Sequence, residues 1–262
     1  SSAVALAVSP YFNSVKMPLV ISNATTDELS GAKCSPFVFR TSYSSSQMSE
    51  PIGDYMGKKG VKQLFLMAAD YVAPREHIAA ARRTYLKHGG KVVGEAYPPF
   101  ARTQDYGPYI SQARNANADA LLPIFYGSEA ILFMKQYTSY GLHKTLPIYA
   151  SSGLVNAVLL GALGDAALGV EAVNNYVAEI DTPENKAFVE GWRKQNNNAD
   201  PEDFGVTGYD AVRFIIEAVR ALNGNTKDRD AFAKAIANVK YNSPRGPIAM
   251  GKTNTISQNI YI

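Results

Sequence analysis

Short runs of β-forming apolar residues alternate with longer stretches of helical period along most of this chain, and no other feature constrains its fold as strongly. The alternation predicts βα units around a mostly parallel sheet, an α/β fold. Strands are predicted at Pro18 to Ser22, Phe37 to Arg40, Gln63 to Ala69, Lys91 to Tyr97, Ala120 to Phe125, Leu146 to Ser151 and Gly169 to Tyr176. Helices fall between most of them, at Gln47 to Lys58, Arg75 to His88, Tyr106 to Asn115, Glu129 to Tyr140 and Leu154 to Leu163. Their ends carry the expected punctuation. Gly60, Gly89-Gly90 and Gly141 follow helical runs where a left-handed residue is needed, and Pro183 opens a helix behind the capping pair Asp181-Thr182. Leu64 to Met67 and Leu121 to Phe125 are apolar on both faces, as a sheet covered by helices on both sides requires. Pro123 is out of place there, because it has no N–H for a ladder.

From Pro183 onward the rhythm changes to successive helices, at Pro183 to Asn196, Gly205 to Leu222 and Asp228 to Val239, before strands return at Gly246 to Met250 and Asn259 to Ile262. That order predicts two α/β lobes sharing segments rather than one continuous sheet. The length, 262 residues, suits one large or two medium domains, and 46% hydrophobic against 19% charged residues describes an ordinary folded core. Lys+Arg 26 against Asp+Glu 23 leaves +3, dispersed along the chain, which points away from nucleic acid and anionic membranes as partners. No apolar run reaches the roughly 18 residues of a membrane span. The chain starts at Ser1 without an initiator Met or a leader, the expectation being that it is a piece of a longer product that has lost any targeting signal.

Catalytic templates find little to match. The three histidines, His77, His88 and His143, sit among polar neighbours and read as solvated surface residues rather than a metal cluster or a triad. Gly53 to Lys59 resembles a phosphate loop only superficially, because its spacing is short and no Ser or Thr follows the Lys; it reads as a helix end. Asp181 with Glu184 reads as charge at a helix start. What recurs instead is strands running out into small or hydroxylated residues: Asn23-Ala24-Thr25, Ala73-Pro74, Tyr126-Gly127-Ser128 and Ser151-Ser152-Gly153, with Ser1-Ser2 before an apolar helix. Beyond the carboxyl ends of parallel strands, free backbone N–H groups and helix dipoles favour an anion.

In order along the chain, Ser1 to Ala7, Met17 to Thr25, Phe37 to Ser42, Asp70 to Glu76, Gly205 to Ala211 and Ser243 to Pro247 together resemble the type I periplasmic solute-binding proteins of ABC importers, in the branched-chain amino-acid-binding branch. The stretch Cys34 to Ser42 is most similar to members that bind aromatic carboxylates. The resemblance spans essentially the whole chain. It implies two Rossmann-like lobes that close on a ligand, with crossovers near Thr41-Ser42, Asn175-Tyr176 and Thr253 to Gln258. Residues 1–42 then belong to the first lobe, 43–175 to the second and 176–252 to the first again, while 253–262 cross over and return a strand to the second. It further implies that the first lobe is incomplete at its N-terminus, lacking leading βα units that relatives carry, and that the disulfide partner of Cys34 lay in that piece.

Carried over residue by residue, Ser1, Ser2, Asn23, Ala24 and Thr25 match the positions that hold the ligand carboxylate. Ala73 stands where many relatives have a tyrosine, so ring stacking is lost there; Tyr126 matches a ring that covers the ligand, and Phe204 an aromatic wall. Amino-acid binders carry an acid just before the glycine matching Gly153, where this chain has Ser151 and Ser152. A buried ammonium without a counter-charge is heavily penalised, so an aromatic acid is expected rather than a branched-chain amino acid. The implied protein is a monomeric, extracytoplasmic binding component, not an enzyme, needing no cofactor or metal and delivering a small carboxylate to a membrane permease. A ligand-sensing domain of a receptor or regulator with the same fold is the alternative, and an enzyme on this fold a third reading, for which no catalytic constellation was found.

Overall fold

The computed structural model describes residues 1–262, which divide into two compact units: Ser1–Ser44 with Asn175–Asn259 (unit 1), and Ser45–Asn174 with Ile260–Ile262 (unit 2). The chain enters through α1 (Ser2–Ser14), β1 (Leu19–Ile21) and β2 (Val38–Arg40). It continues through α2 (Ser45–Lys58), β3 (Gln63–Ala68), α3 (Val72–Tyr85), β4 (Lys91–Ala96), α4 (Gly107–Asn115), β5 (Ala120–Ile124), α5 (Gly127–Ser139), β6 (Tyr149–Ser151), α6 (Ala157–Leu163) and β7 (Glu171–Val173). It ends with α7 (Pro183–Gln195), α8 (Asp203–Ala221), α9 (Arg229–Ala237), β8 (Lys240–Ser243), β9 (Gly246–Met250) and β10 (Ile256–Ser257).

The βα rhythm of the sequence is the rhythm of unit 2. Strand β3 pairs in parallel with β4 and β5, β6 pairs in parallel with β7, and a bridge between Leu121 and Ile148 joins the two groups. Phe65, Met67, Leu121, Phe125, Phe133, Ile148 and Leu154 share one buried cluster, so the double-sided apolar strands are covered as expected. Gly60, Gly89 and Gly141 all adopt positive φ behind helical segments. Helices α2 and α3 meet at Gly53, where an added Cβ would lie 2.1 Å from the Ala81 carbonyl oxygen; the glycine of the phosphate-loop look-alike is a packing residue.

Pro123 lies inside β5 after all, opposite Met67. Residues of one parity along a strand turn their amides to the same neighbour, and Leu121 donates its N–H across the β6 side, to the Pro147 carbonyl at 3.0 Å. The missing donor of Pro123 therefore faces β6, where the pairing consists of the single Leu121–Ile148 bridge, and costs no ladder bond to β3.

In unit 1, β1 and β2 are parallel, β8, β9 and β10 form an antiparallel meander, and an Arg40–Thr255 bridge connects them. Two expectations are corrected here. Strand β8 was not anticipated: Lys240 to Ser243 is too polar to register as a strand, yet it forms a tight hairpin with β9 across Pro244 and Arg245. The expected strand Asn259 to Ile262 is reduced to one antiparallel bridge between Tyr261 and Asn174, while residues 256–257 pair with β9. The apolar stripe of α8 buries Val206, Phe214 and Ala218, whereas Val212 and Ile216 stay exposed.

A polar hub organises unit 1. Arg245 and Asp210 are both fully buried and paired at 2.7 Å. Arg245 also donates to the Thr41 carbonyl and to the Gln258 side chain; Gln258 donates to the Ser42 carbonyl at 2.9 Å and accepts from Asn175 at 3.2 Å. Asp210 is bonded further by Tyr241 and Ser243. Burial pushes the Asp210 carboxyl above its ordinary range, and Arg245, Tyr241 and Ser243 each pull it back. All three chain segments that connect unit 1 to unit 2 are thus tied to one ion pair at their unit 1 ends. Arg245→Met strands a buried carboxylate and is expected to cost about 3–5 kcal/mol, read from urea midpoints at pH 7; the double change with Asp210→Asn should recover much of that loss.

Candidate functional site

The N-terminal turn of α1 and the loop after β1 supply the unit 1 part of the site. The Ser1 side chain caps α1 by accepting from the Val4 amide at 3.5 Å, and Ser2, nearly buried, accepts the Thr26 amide at 3.3 Å. From the other side the buried Arg40 donates to the Thr26 carbonyl at 2.7 Å. Ser42 donates to the Ala24 carbonyl at 3.3 Å, so residues 23–26 are held along both edges. Asn23 is exposed, while Ala24 and Thr25 are buried. Helix α8 reaches the same strand end: Thr207 donates to the Ser22 carbonyl at 2.7 Å, which brings the half-buried Phe204 of its first turn to the neighbourhood of Asn23. The structure therefore gathers Ser1, Ser2, Asn23, Ala24, Thr25 and Phe204 at one end of the unit 1 sheet. Amides of a helix's first turn have no helical acceptor, and with the dipole they make such an end a carboxylate receptor.

Beside Phe204, Glu202 precedes α8 next to the buried Asp203. Burial, reinforced by the adjacent Asp203 carboxyl, pushes Glu202 up from 4.5 to about 8. The folded chain thus retains a proton that the unfolded chain gives up above pH 4.5, which keeps Glu202 largely uncharged near neutrality.

Unit 2 places the other candidates at the carboxyl ends of β3, β5 and β6. Tyr126 precedes α5 in extended backbone, and its ring lies against Gly153, where an added Cβ would come within 2.3 Å of the ring carbons. Gly153 has to be glycine for that approach. Ser151 and Ser152 are buried, and the Ser151 hydroxyl has no hydrogen-bond partner. Ala73 is buried in the first turn of α3, and the nearby Tyr71 ring stacks on Phe100 at 4.5 Å.

The surface reading of His77 is corrected. Its side chain is fully buried, with Nδ1 2.6 Å from the Ser49 hydroxyl and Nε2 3.2 Å from the Tyr126 hydroxyl. Its charged neighbours Arg75 and Glu76 suggested a solvated position. The helical period carried the better signal, because His77 falls on the stripe of Ala73, Pro74, Ile78, Ala80 and Ala81 that α3 buries. His88, by contrast, pairs with Asp54 at 2.8 Å near the surface. No three His, Cys, Asp or Glu side chains converge on a common point, and no helix is long and apolar enough to cross a membrane.

The family model described as periplasmic binding protein matches residues 1–262. The chain belongs to that family. It is 33% identical over 264 residues to the Leu/Ile/Val-binding protein homolog 6 of Brucella melitensis, an alignment covering 98% of this chain and 66% of the relative. The chain therefore spans slightly less than two thirds of that relative's length. Among solved structures it resembles a solute-binding protein of an ABC transporter from Rhodopseudomonas palustris BisB5 in complex with 3,4-dihydroxybenzoic acid, with a TM-score of 0.91 and 32% identity over 98% of this chain and 70% of that one. It also resembles an R. palustris ABC transporter solute-binding protein in complex with benzoate, with a TM-score of 0.93 and 28% identity over 99% and 71%. The fold is that of the type I periplasmic binding proteins.

Two outcomes follow from the geometry. Gly153→Ala should displace the Tyr126 ring and cost about 1–3 kcal/mol, visible as an altered near-ultraviolet circular dichroism signal and a lower melting temperature. Stability should fall as pH rises from 4.5 toward 8, the interval in which Glu202 keeps its proton only when folded, and Glu202→Gln should flatten that slope in denaturant midpoints measured at pH 5 and pH 8.

Proposed function

We propose that this chain is the ligand-binding part of an ABC importer's extracytoplasmic solute-binding component, which takes a small aromatic carboxylate and delivers it to a membrane permease. The observation that carries the reading is the receptor end of unit 1, where Ser2 and Arg40 hold residues 23–26 beside the first turn of α1. The amides and the positive end of the helix dipole suit a carboxylate. Ser2 accepts from the Thr26 amide and keeps its own O–H to donate. Phe204 and Tyr126 offer flat apolar area with edge-specific geometry, which suits a planar ring.

The ligand class rests on Ser151 and Ser152. Both are buried and neutral at the place where an amino-acid ligand's ammonium would need a carboxylate, and leaving that ammonium uncompensated costs several kcal/mol. The benzoates named in the two similar structures support the same class. A carboxylate exchanged between water and donors already in place needs no bond made or broken, in keeping with capture and release rather than turnover.

Isothermal titration with benzoate, 4-hydroxybenzoate, leucine and glucose tests the proposal. Saturable binding of the benzoates with none of leucine or glucose is expected; leucine binding without benzoate binding overturns the ligand class, and a folded protein that takes none of them overturns the site. Ser2→Ala should weaken benzoate by about 1.5–3 kcal/mol, roughly 10- to 150-fold, as loss of a hydrogen bond to a charged group does.

A further inference from the structure

We propose that His77 is a positioning residue which, backed by Ser49, fixes the Tyr126 hydroxyl as a hydrogen-bond donor toward the ligand. The inference rests on the ligand-binding role of Tyr126 proposed above, but its geometry lies wholly within unit 2.

The chain of contacts runs from Ser49 on α2, through His77 on α3, to Tyr126 at the end of β5. Ser49 is fully buried, and the bond to His77 Nδ1 at 2.6 Å is the only hydrogen bond its side chain makes. A serine hydroxyl has one hydrogen to donate, and a buried donor left without an acceptor is costly. If Nδ1 carried the proton, Ser49 could only accept, and its own hydrogen would be stranded in the interior. Ser49 therefore donates, Nδ1 is the bare nitrogen, and the ring proton of neutral His77 sits on Nε2. That N–H faces the Tyr126 oxygen at 3.2 Å and donates to it. Tyr126 is left with its own O–H, which it cannot give back to His77 and must direct to another acceptor. The second nitrogen of a histidine is commonly set by what holds the first, and here a serine does the setting.

The backbone supports the same arrangement. Tyr126 is confined by the start of α5 and by its ring's contact with Gly153, so its hydroxyl has little latitude beside His77. The His77 and Tyr126 rings stand 6.4 Å apart at 56°, tilted rather than stacked, which leaves the edge-on N–H to oxygen contact open. A tyrosine held as a donor favours a ligand with an oxygen at that point over one ending in a hydrocarbon, which gives the aromatic-acid reading a polar requirement in unit 2 as well as in unit 1.

Nitrogen-15 NMR of the histidines reads the tautomer without any ligand, with His77 assigned through His77→Phe among the three histidines. A protonated Nε2 and a bare Nδ1 are expected at pH 7, and Ser49→Ala should abolish the preference; a proton on Nδ1, or on both nitrogens, overturns the proposal. Benzoate titration supplies the second arm. His77→Phe and Tyr126→Phe should each weaken binding about tenfold, with the double variant no weaker than the weaker single one, and His77→Gln should recover part of the loss. Equal losses from His77→Phe with and without the Tyr126 hydroxyl would mark a merely structural histidine and sink the inference. Should the unaltered protein fail to bind benzoate, the reading under Proposed function falls while the tautomer measurement still decides the state of His77. Should His77→Phe not fold, Ser49→Ala carries both arms, and an unchanged tautomer in it is the overturning result.

Discussion

Unit 1 depends on a charge pair that water cannot reach. Arg245 and Asp210 are each fully enclosed, and every donor and acceptor around them is spent on segments distant in sequence: Thr41 and Ser42 on the first passage between units, Asn175 on the second, Gln258 on the third. Apolar packing of the same volume would be no less stable. What it could not do is address carbonyls and amides at chosen points, and the hub therefore specifies where the chain leaves the unit as much as it holds the unit together. The hairpin that carries Arg245 exists to deliver it, which is why β8 can be polar and still be a strand.

The same economy of polar groups builds the candidate site. Arg40 is a buried cation whose role is to hold a loop, through the Thr26 carbonyl and the Thr255 hydroxyl at 3.0 Å, so that the backbone beside α1 is already in place before any anion arrives. Preorganised amides lose little freedom on binding, and that is the physical sense in which a rigid scaffold serves a reversible receptor.

Much of this was legible in the residues. The α/β rhythm and the glycine-terminated helices follow from period and backbone conformation, which are local properties. The strand-end candidates Ser2, Ala24 and Thr25 could be picked out because hydroxyls and small residues after a strand have few other uses. His77 was missed, since flanking charges were weighed above its place on the buried stripe of α3. Strand β8 was missed because its stability comes from partners far along the chain, Asp210 above all, which no window of sequence contains. Pro123 looked like an objection to its strand and was not, because the side its nitrogen faces depends on which neighbour lies there.

That proline has a mechanical consequence. Between β5 and β6 the backbone contributes a single bridge, so the seam is closed by the greasy surfaces of Phe125, Ala150 and Leu154 instead of by a continuous ladder. Surfaces of that kind slip by fractions of an ångström where a ladder would have to tear. The strand bearing Ser151 and Ser152 can therefore accommodate differently sized guests while β3 and its neighbours stay where they are.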